Sequence, residues 1–368
     1  MHCRKRFRSY LRNIRVNKES KENIMKLMKT EEAVGQVLCH DITQIIPGVT
    51  KDAVFRKGHI ITKEDIPVLL SVGKEHIYIW EKDEHVMHEN EAAQILYEMC
   101  QNEHMHPSDV KEGKIELIAD CDGLFKVDRE KLRKVNSLGE MMIATRHGNT
   151  FVKKGDKLAG TRIIPLVIEK EKIERAKEIC NDGAILEIRP LQPKKAAILT
   201  TGSEVYHGRI QDKFTPVLVE KLKEYGSEVI FHEIYDDDHE AITKGCLSAI
   251  EQGAEIVLCT GGMSVDPDDK TPLAIKNTGA RIVSYGAPVL PGAMFLVSYY
   301  EYKDKTIPIV GLPGCVMYAK RTIFDLALPR LLADDFITAE ELALLGEGGL
   351  CLNCPVCTYP NCGFGKGW

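Results

Sequence analysis

The run Cys259-Thr260-Gly261-Gly262-Met263-Ser264-Val265-Asp266-Pro267-Asp268-Asp269 concentrates two glycines, two hydroxyls and three carboxylates behind a short apolar segment. Ile256-Val257-Leu258-Cys259 carries two β-branched residues and is bounded by a turn signal, so it reads as a buried strand. A strand that empties into Gly-Gly lets backbone amides approach a ligand, because no Cβ intervenes. The carboxyl ends of strands in open α/β sheets are where ligands bind. Carboxylates at such a place suit Mg²⁺, or accept hydrogen bonds from an amino-rich ring.

Four further turns share this character. One apolar segment ends in Thr200-Thr201-Gly202-Ser203-Glu204, with Asp212 following, and another ends in Asp236-Asp237-Asp238-His239. Leu290-Pro291-Gly292-Ala293 and Leu312-Pro313-Gly314-Cys315 complete the set. Helix capping by Ser, Thr and Asp explains any one of these turns. It does not explain five such turns at one sheet edge, where small residues make room, hydroxyls and amides bind phosphate, and carboxylates hold metal or amino groups.

A second motif lies in the last residues. Cys351, Cys354, Cys357 and Cys362 follow the spacing C-x₂-C-x₂-C-x₄-C. The x₂ loops are too tight for ordinary disulfide geometry, so the four thiols read as metal ligands. A [4Fe–4S] cluster is the expectation, with Cys₄ zinc as the competitor. The other cysteines are scattered singly, several in apolar segments where cysteine acts as a small core residue. That distribution fits a cytoplasmic protein with a terminal metal site rather than a disulfide scaffold.

The elements that must position these groups alternate regularly from Lys194 onward. Strands are expected at 196–199, 229–234, 256–259, 281–284, 295–299 and 307–310, and helices at 216–225, 239–252 and 316–332. This pattern predicts a three-layer, doubly wound, mostly parallel α/β sheet over 194–333. Upstream, a basic tail spans 1–28. A hairpin and helix region spans 29–82, with a helix over 31–42, a strand pair turned at Gly58, a helix begun at Thr62 and a strand at 76–80. Residues 83–168 read as an α+β insert, with helices at 90–101 and 128–136 and β structure over 141–168. A charged linker helix and turn occupy 169–193, and the cysteine-rich tail 334–368. The polar setting of His85, His88, His104 and His106 marks them as surface residues.

A net charge of −5 over 368 residues argues against a nucleic-acid partner. No apolar run approaches the ~18 residues that a membrane helix needs. The basic charge gathers in residues 1–30, without the apolar segment of a secretory signal.

Taken in order, Thr201-Gly202-Ser203-Glu204, the Asp237-Asp238 step, Thr260-Gly261-Gly262-Met263-Ser264 with Asp269, Pro291-Gly292 and Leu312-Pro313-Gly314 resemble the molybdopterin-binding domain of molybdenum cofactor biosynthesis proteins. Their order and spacing are similar to those of the molybdopterin molybdenumtransferases, relatives of the gephyrin E domain. The resemblance covers 194–333, and 55–80 looks like the hairpin region preceding that domain. It implies that adenylylated molybdopterin and molybdate are substrates, that molybdenum enters the dithiolene as AMP leaves, and that Mg²⁺ assists. By the same resemblance Glu204, Asp237 or Asp238, and Asp269 would be catalytic. Thr201, Gly202, Ser203, Asp212, Gly261, Gly262, Ser264, Asp266, Pro291, Gly292, Pro313 and Gly314 would bind the cofactor, with Gly261, Gly262 and Ser264 cradling the pterin phosphate and Pro313 and Gly314 bordering the pterin. Self-association as a homodimer is also implied.

The chain departs from that pattern at several turns. Asp212-Lys213-Phe214 replaces Asp-Ser-Asn, Asp266 replaces a glycine, and Pro291-Gly292-Ala293-Met294 replaces Pro-Gly-Lys-Pro. Leu312-Pro313-Gly314-Cys315-Val316 replaces Leu-Pro-Gly-Asn-Pro. The Ser-Ala-Met-Asp-Gly-Tyr-Ala segment is missing, with Asp120-Cys121-Asp122-Gly123 its faint echo. Three readings follow. One is a molybdenumtransferase, another a cofactor carrier or maturation factor for a client molybdoenzyme, and the third a nucleotide hydrolase of the competence-damage type.

Overall fold

The computed structural model describes residues 25–46, 50–80 and 85–367. Within the expected basic tail, Met25–Lys29 is a strand, paired antiparallel with His76–Trp80; residues 1–24 lie outside the described residues. The helix expected over 31–42 is absent. After a 3₁₀ turn at Thr30–Glu32, Gly35 takes a positive φ of 83°, and Leu38 exchanges backbone hydrogen bonds with His59 and Gly58. Val34 and Val37, part of the supposed helical stripe, are exposed. The apolar residues serve a different core: Ala33, Leu38, Ile42, Ile61, Leu69, Ile77 and Ile79. Gly58 does turn the chain, but toward 36–38, while Thr50–Phe55 pairs with Ile42–Ile46. The helix Asp65–Ser71 and its stop at Gly73 are as expected.

Residues from Val86 to Pro190 build a second core. Helix Glu89–Cys100 packs on a four-stranded sheet in the order Met105–Pro107, Lys114–Ala119, Lys157–Ile163, Met141–Thr145. Asp128 caps helix Arg129–Ser137 by accepting the Lys131 N–H at 2.9 Å. The supposed linker helix, Lys170–Ile179, buries Ile173 and Ala176 in this same core. Beyond it, Leu186–Pro190 pairs with Gly123–Val127. The charges on that helix are simply its solvated face.

The third unit is an α/β sheet of six strands, in the order Glu228–Tyr235, Lys195–Thr201, Ile256–Thr260, Lys305–Leu312, Leu296–Tyr302, Arg281–Tyr285. The first four are mutually parallel; the last two join antiparallel. Alternate residues of the central strands serve two cores. Ala196, Ile198, Ile256 and Leu258 pack with Leu218, Leu222 and Leu328 from helices Phe214–Lys223 and Ile323–Leu332. Ala197, Leu199, Val257 and Cys259 pack with Ile242, Cys246, Ala274 and Ile275 from helices His239–Glu251 and Thr271–Asn277. Strands buried on both faces read as continuous apolar runs.

The closing helix is shorter than expected. A 3₁₀ turn at Gly314–Met317 precedes the helix Ile323–Leu332. Thr322 and Asp325 form a capping box, which starts a helix rather than continuing one. Helix Ala339–Leu344 follows, and then an irregular tail to Gly367. Among the described residues no helix is long and apolar enough to cross a membrane.

A buried charge cluster ties the second unit to the third. The Asp335 carboxylate accepts Lys126 at 2.9 Å, Arg189 at 2.7 Å and Arg330 at 2.5 Å. Arg330 also binds Glu341 at 2.9 Å. Burial works to raise the Asp335 carboxyl, but Arg330 and Lys126 outweigh it and hold it below the usual carboxylate range. Removing one member of such a cluster strands the others without charge compensation. Asp335→Ala should lower the unfolding free energy by about 3–5 kcal/mol, read as a fall in the urea midpoint at unchanged slope.

Candidate functional site

The strand Lys195–Thr201 ends in two threonines with different tasks. Thr200 donates its hydroxyl to Asp212 at 3.0 Å. Asp212 also accepts the Phe214 N–H at 2.8 Å, the Thr215 N–H at 3.1 Å and the Thr215 hydroxyl at 2.6 Å. Burial favours the neutral acid, but these bonds win and hold the Asp212 carboxyl below its ordinary value. Asp212 therefore anchors helix Phe214–Lys223, and its oxygens are spent on the protein itself.

Thr201 is buried and links the first turn to the third. Its hydroxyl lies 3.0 Å from the Thr260 carbonyl and 2.9 Å from the Thr271 hydroxyl. Gly261, with φ at +80°, passes so close that a Cβ there would stand 2.1 Å from the Thr201 carbonyl oxygen. A Cβ on Gly262 would stand 2.8 Å from the Thr271 hydroxyl. The Gly-Gly pair is thus required twice, by dihedral and by space.

Past Gly202 the chain enters the single helical turn Ser203–Tyr206, which leaves Glu204 exposed. The Ser203 N–H donates to Asp237 Oδ2 at 3.0 Å. Burial raises the Asp237 carboxyl above its ordinary value, helped by the charges of Asp236, Glu204 and Asp269 and opposed by the Ser203 N–H. Asp238 instead caps helix His239–Glu251, accepting the Glu240 N–H at 2.9 Å and the Ala241 N–H at 3.4 Å. Asp237 thus feels the charges of Glu204 and Asp269, whereas Asp238 is a helix cap.

In the third turn, Asp269 Oδ2 accepts the Ser264 N–H at 2.8 Å. Asp266 is spent within the loop, accepting the Asp268 N–H at 3.1 Å. Tyr285 donates its hydroxyl to the Met263 carbonyl at 2.8 Å, tying this loop to the antiparallel edge. Neither Tyr285 nor Thr271 carries a recognisable motif, and sequence reasoning missed both.

The last three turns border an open cleft of ≈ 760 Å³. Gly261, Gly262, Ser264, Asp269, Pro291, Gly292, Pro313 and Gly314 all line it. Thr201, Gly202, Ser203, Glu204, Asp212, Asp237, Asp238 and Asp266 do not. Gly292 is held close to Ile323, whose Cγ2 would lie 2.4 Å from a Cβ. Gly314 has open space around it, so its role is to leave the cleft wall bare.

The tail supplies part of this wall, which the sequence did not foretell. Leu290 and Leu350 form a parallel bridge, with the Leu290 N–H on the Gly349 carbonyl and the Cys351 N–H on the Leu290 carbonyl, both at 2.8 Å. Leu350, Cys351 and Asn353 thereby line the cleft. The four tail cysteines are not gathered. Cys351 and Cys362 are half-buried and pack against the core, while Cys354 and Cys357 are exposed. Lys320 holds the intervening loop by donating to the Pro355 carbonyl at 3.0 Å. Among the described residues no three His, Cys, Asp or Glu side chains are grouped to hold a metal. The thiols therefore do not fit a preformed cluster or zinc site, nor do Glu204, Asp237 and Asp269 fit a preformed Mg²⁺ site.

Residues 197–333 match a family described as a probable molybdopterin binding domain. This segment is a molybdopterin-binding family domain. Residues 27–81 match a second family, a domain of unknown function (DUF8806). A molybdopterin adenylyltransferase of Pyrococcus furiosus is 26% identical over 135 residues, 37% of this chain and 76% of the relative. A molybdopterin molybdenumtransferase of a Nostoc species is 26% identical over 196 residues, 51% of this chain and 44% of the relative. A Bacillus subtilis protein described as competence-damage inducible is 32% identical over 89 residues, 24% of this chain and 21% of the relative. The chain thus spans less than half the length of the last two. Among solved structures, a tungsten cofactor synthesizing protein from Pyrococcus furiosus aligns at a TM-score of 0.30 and 21% identity, over 34% of this chain and 84% of that one.

Two outcomes test the geometry of the molybdopterin-binding family domain. Gly261→Ala should destabilise it by roughly 2 kcal/mol or more, from backbone strain and the clash with Thr201, seen in the thermal midpoint. Asp212→Asn should cost stability at neutral pH. The native carboxyl sits lower than in the unfolded chain, so its contribution is present above the unfolded pKa and lost as pH falls through the folded one. The difference between variant and wild type should therefore shrink in denaturation series carried below about pH 4.

Proposed function

We propose that the cleft binds molybdopterin in its adenylylated form and releases AMP as molybdate binds the two dithiolene sulfurs, one oxo ligand leaving as water with the two thiol protons. The observation that carries this reading is the cleft wall: the bare backbone of Gly261 and Gly262, the Ser264 hydroxyl and the Asp269 carboxylate stand together with Pro291, Gly292, Pro313 and Gly314. Asp237, outside that lining, feels the charges of Glu204 and Asp269. The reading treats the sheet, with a core on each face, as the doubly wound three-layer unit of the molybdopterin-binding family.

The pterin phosphate would lie against the bare backbone of Gly261 and Gly262 and the Ser264 hydroxyl. The pterin would border Pro291, Gly292, Pro313 and Gly314. For the anhydride, a water adds at the adenylyl phosphorus and the bond from phosphorus to the bridging oxygen breaks. The water proton passes to the Asp269 carboxylate, which lines the cleft, and the pterin phosphate leaves as its anion.

A second reading, a cofactor carrier for a client molybdoenzyme, is favoured by one observation: tail residues Leu350, Cys351 and Asn353 close part of the cleft. The two readings separate in one assay. Protein is incubated with adenylylated molybdopterin and molybdate, and AMP and bound molybdenum are measured. Molybdate-dependent AMP release is expected. Pterin retention without AMP release makes the chain a carrier. Asp269→Asn keeps an oxygen for the Ser264 N–H but removes the charge, so AMP release should fall about 100-fold or more while pterin binding persists. Unchanged turnover in that variant would displace the reaction from this cleft.

A further inference from the structure

A second pocket lies far along the chain from the cleft, where the 27–81 segment meets the second unit. Its volume is ≈ 390 Å³. His40, Lys57 and Lys74 enter it from the first segment, and Glu89, Glu112 and Arg162 from the second.

The acceptors in this pocket are largely spent. Asp41 Oδ1 takes the Lys57 backbone N–H at 2.7 Å. Glu112 takes the Thr43 hydroxyl at 3.1 Å and faces Arg162 at a loose 3.8 Å. Asn90 Oδ1 takes the Gly113 N–H at 3.0 Å. His88 joins the Cys39 carbonyl at 3.0 Å and receives the Asn90 N–H at 3.2 Å. The donors are not spent in the same way. Among the described residues the Lys74 ammonium has no carboxylate within ion-pair distance, and Arg162 has only the long contact to Glu112. His40 Nδ1 is buried with no hydrogen-bond partner, which is a costly state for a ring nitrogen.

We infer that this pocket binds a small oxyanion, held by Lys74 and Arg162, with the unpartnered His40 ring nitrogen completing its hydrogen bonds. Two cations with free donor capacity and one orphaned ring nitrogen need acceptors, and an oxyanion brings several on one centre. Glu89 fits the same occupant. Burial, opposed by Arg162 and reinforced by Glu112, pushes its carboxyl up to about 7. The protonated acid donates to an anion, whereas the carboxylate repels it. The other ionisable groups facing this pocket are Lys57 and Asp41, of opposite sign, and His40, His88, Lys74 and Tyr78. Binding should therefore weaken as pH rises through 7. Because the walls come from two separately cored segments, an occupant also bridges them.

The test is isothermal titration of the full chain with sodium molybdate, sodium sulfate and sodium phosphate in separate runs, at pH 6 and pH 8. The expected result is one site per chain for at least one anion, tighter at pH 6. Lys74→Met and Arg162→Met should each weaken it tenfold or more, and Lys74→Arg should restore it. Asp269→Asn, in the distant cleft, should leave it unchanged. The tightest of the three anions identifies the class of source, a metal oxoanion or a phosphate or sulfate ester. No binding by any of the three, equal affinity in wild type and Lys74→Met with native melting curves, or loss of binding in Asp269→Asn would each overturn the assignment.

Discussion

The approach of Gly261 to the Thr201 carbonyl is the contact on which the site depends. A side chain there would overlap backbone, so the third strand can end beside the first only because the residue is glycine. That adjacency brings the Ser203–Tyr206 turn, with Glu204, next to the loop carrying Asp269. Asp237 arrives from the neighbouring parallel strand and is fixed by the Ser203 N–H. Burial then raises the Asp237 carboxyl, and the like charges of Asp236, Glu204 and Asp269 add to it. The order of strands, together with glycine at position 261, sets which carboxyls are neighbours.

The α/β half of the chain was legible because its signals were local and redundant. Continuous apolar runs, glycines after them and capping residues at the next element all pointed to the same elements, as at Ile256–Thr260 and at the Asp238 cap of His239–Glu251. The cleft residues Gly261, Gly262, Asp269, Pro291 and Pro313 were found for the same reason. Roles within the site were less legible. Asp212, Asp238 and Asp266 have the right chemistry for binding, yet their oxygens serve backbone amides. Sequence cannot tell a carboxylate that waits for a ligand from one that closes a turn.

The misreadings upstream have another cause. Around Val34 to Ile42 the apolar spacing matched a helix, but the core that uses those residues is assembled from strands distant in sequence, with Gly35 breaking any helix between them. The helix Lys170–Ile179 looked like a linker since its charges outnumber its buried residues, and two buried side chains suffice to anchor it. The cysteine tail was read from spacing alone. Its backbone instead follows the rim of the cleft, directed by Leu290, which lies sixty positions before its partner.

That last arrangement links two parts of the molecule thermodynamically. The Gly349 carbonyl and Cys351 amide are bonded to the same residue that precedes the Pro291-Gly292 wall. A ligand that favours one tail arrangement in the cleft would couple the two equilibria, and such coupling is reciprocal. Anything that redraws the tail, whether oxidation of its exposed thiols or docking of another protein upon them, alters affinity in the cleft by some factor. A ligand seated in the cleft must alter the tail's own equilibrium by that same factor, in the same direction.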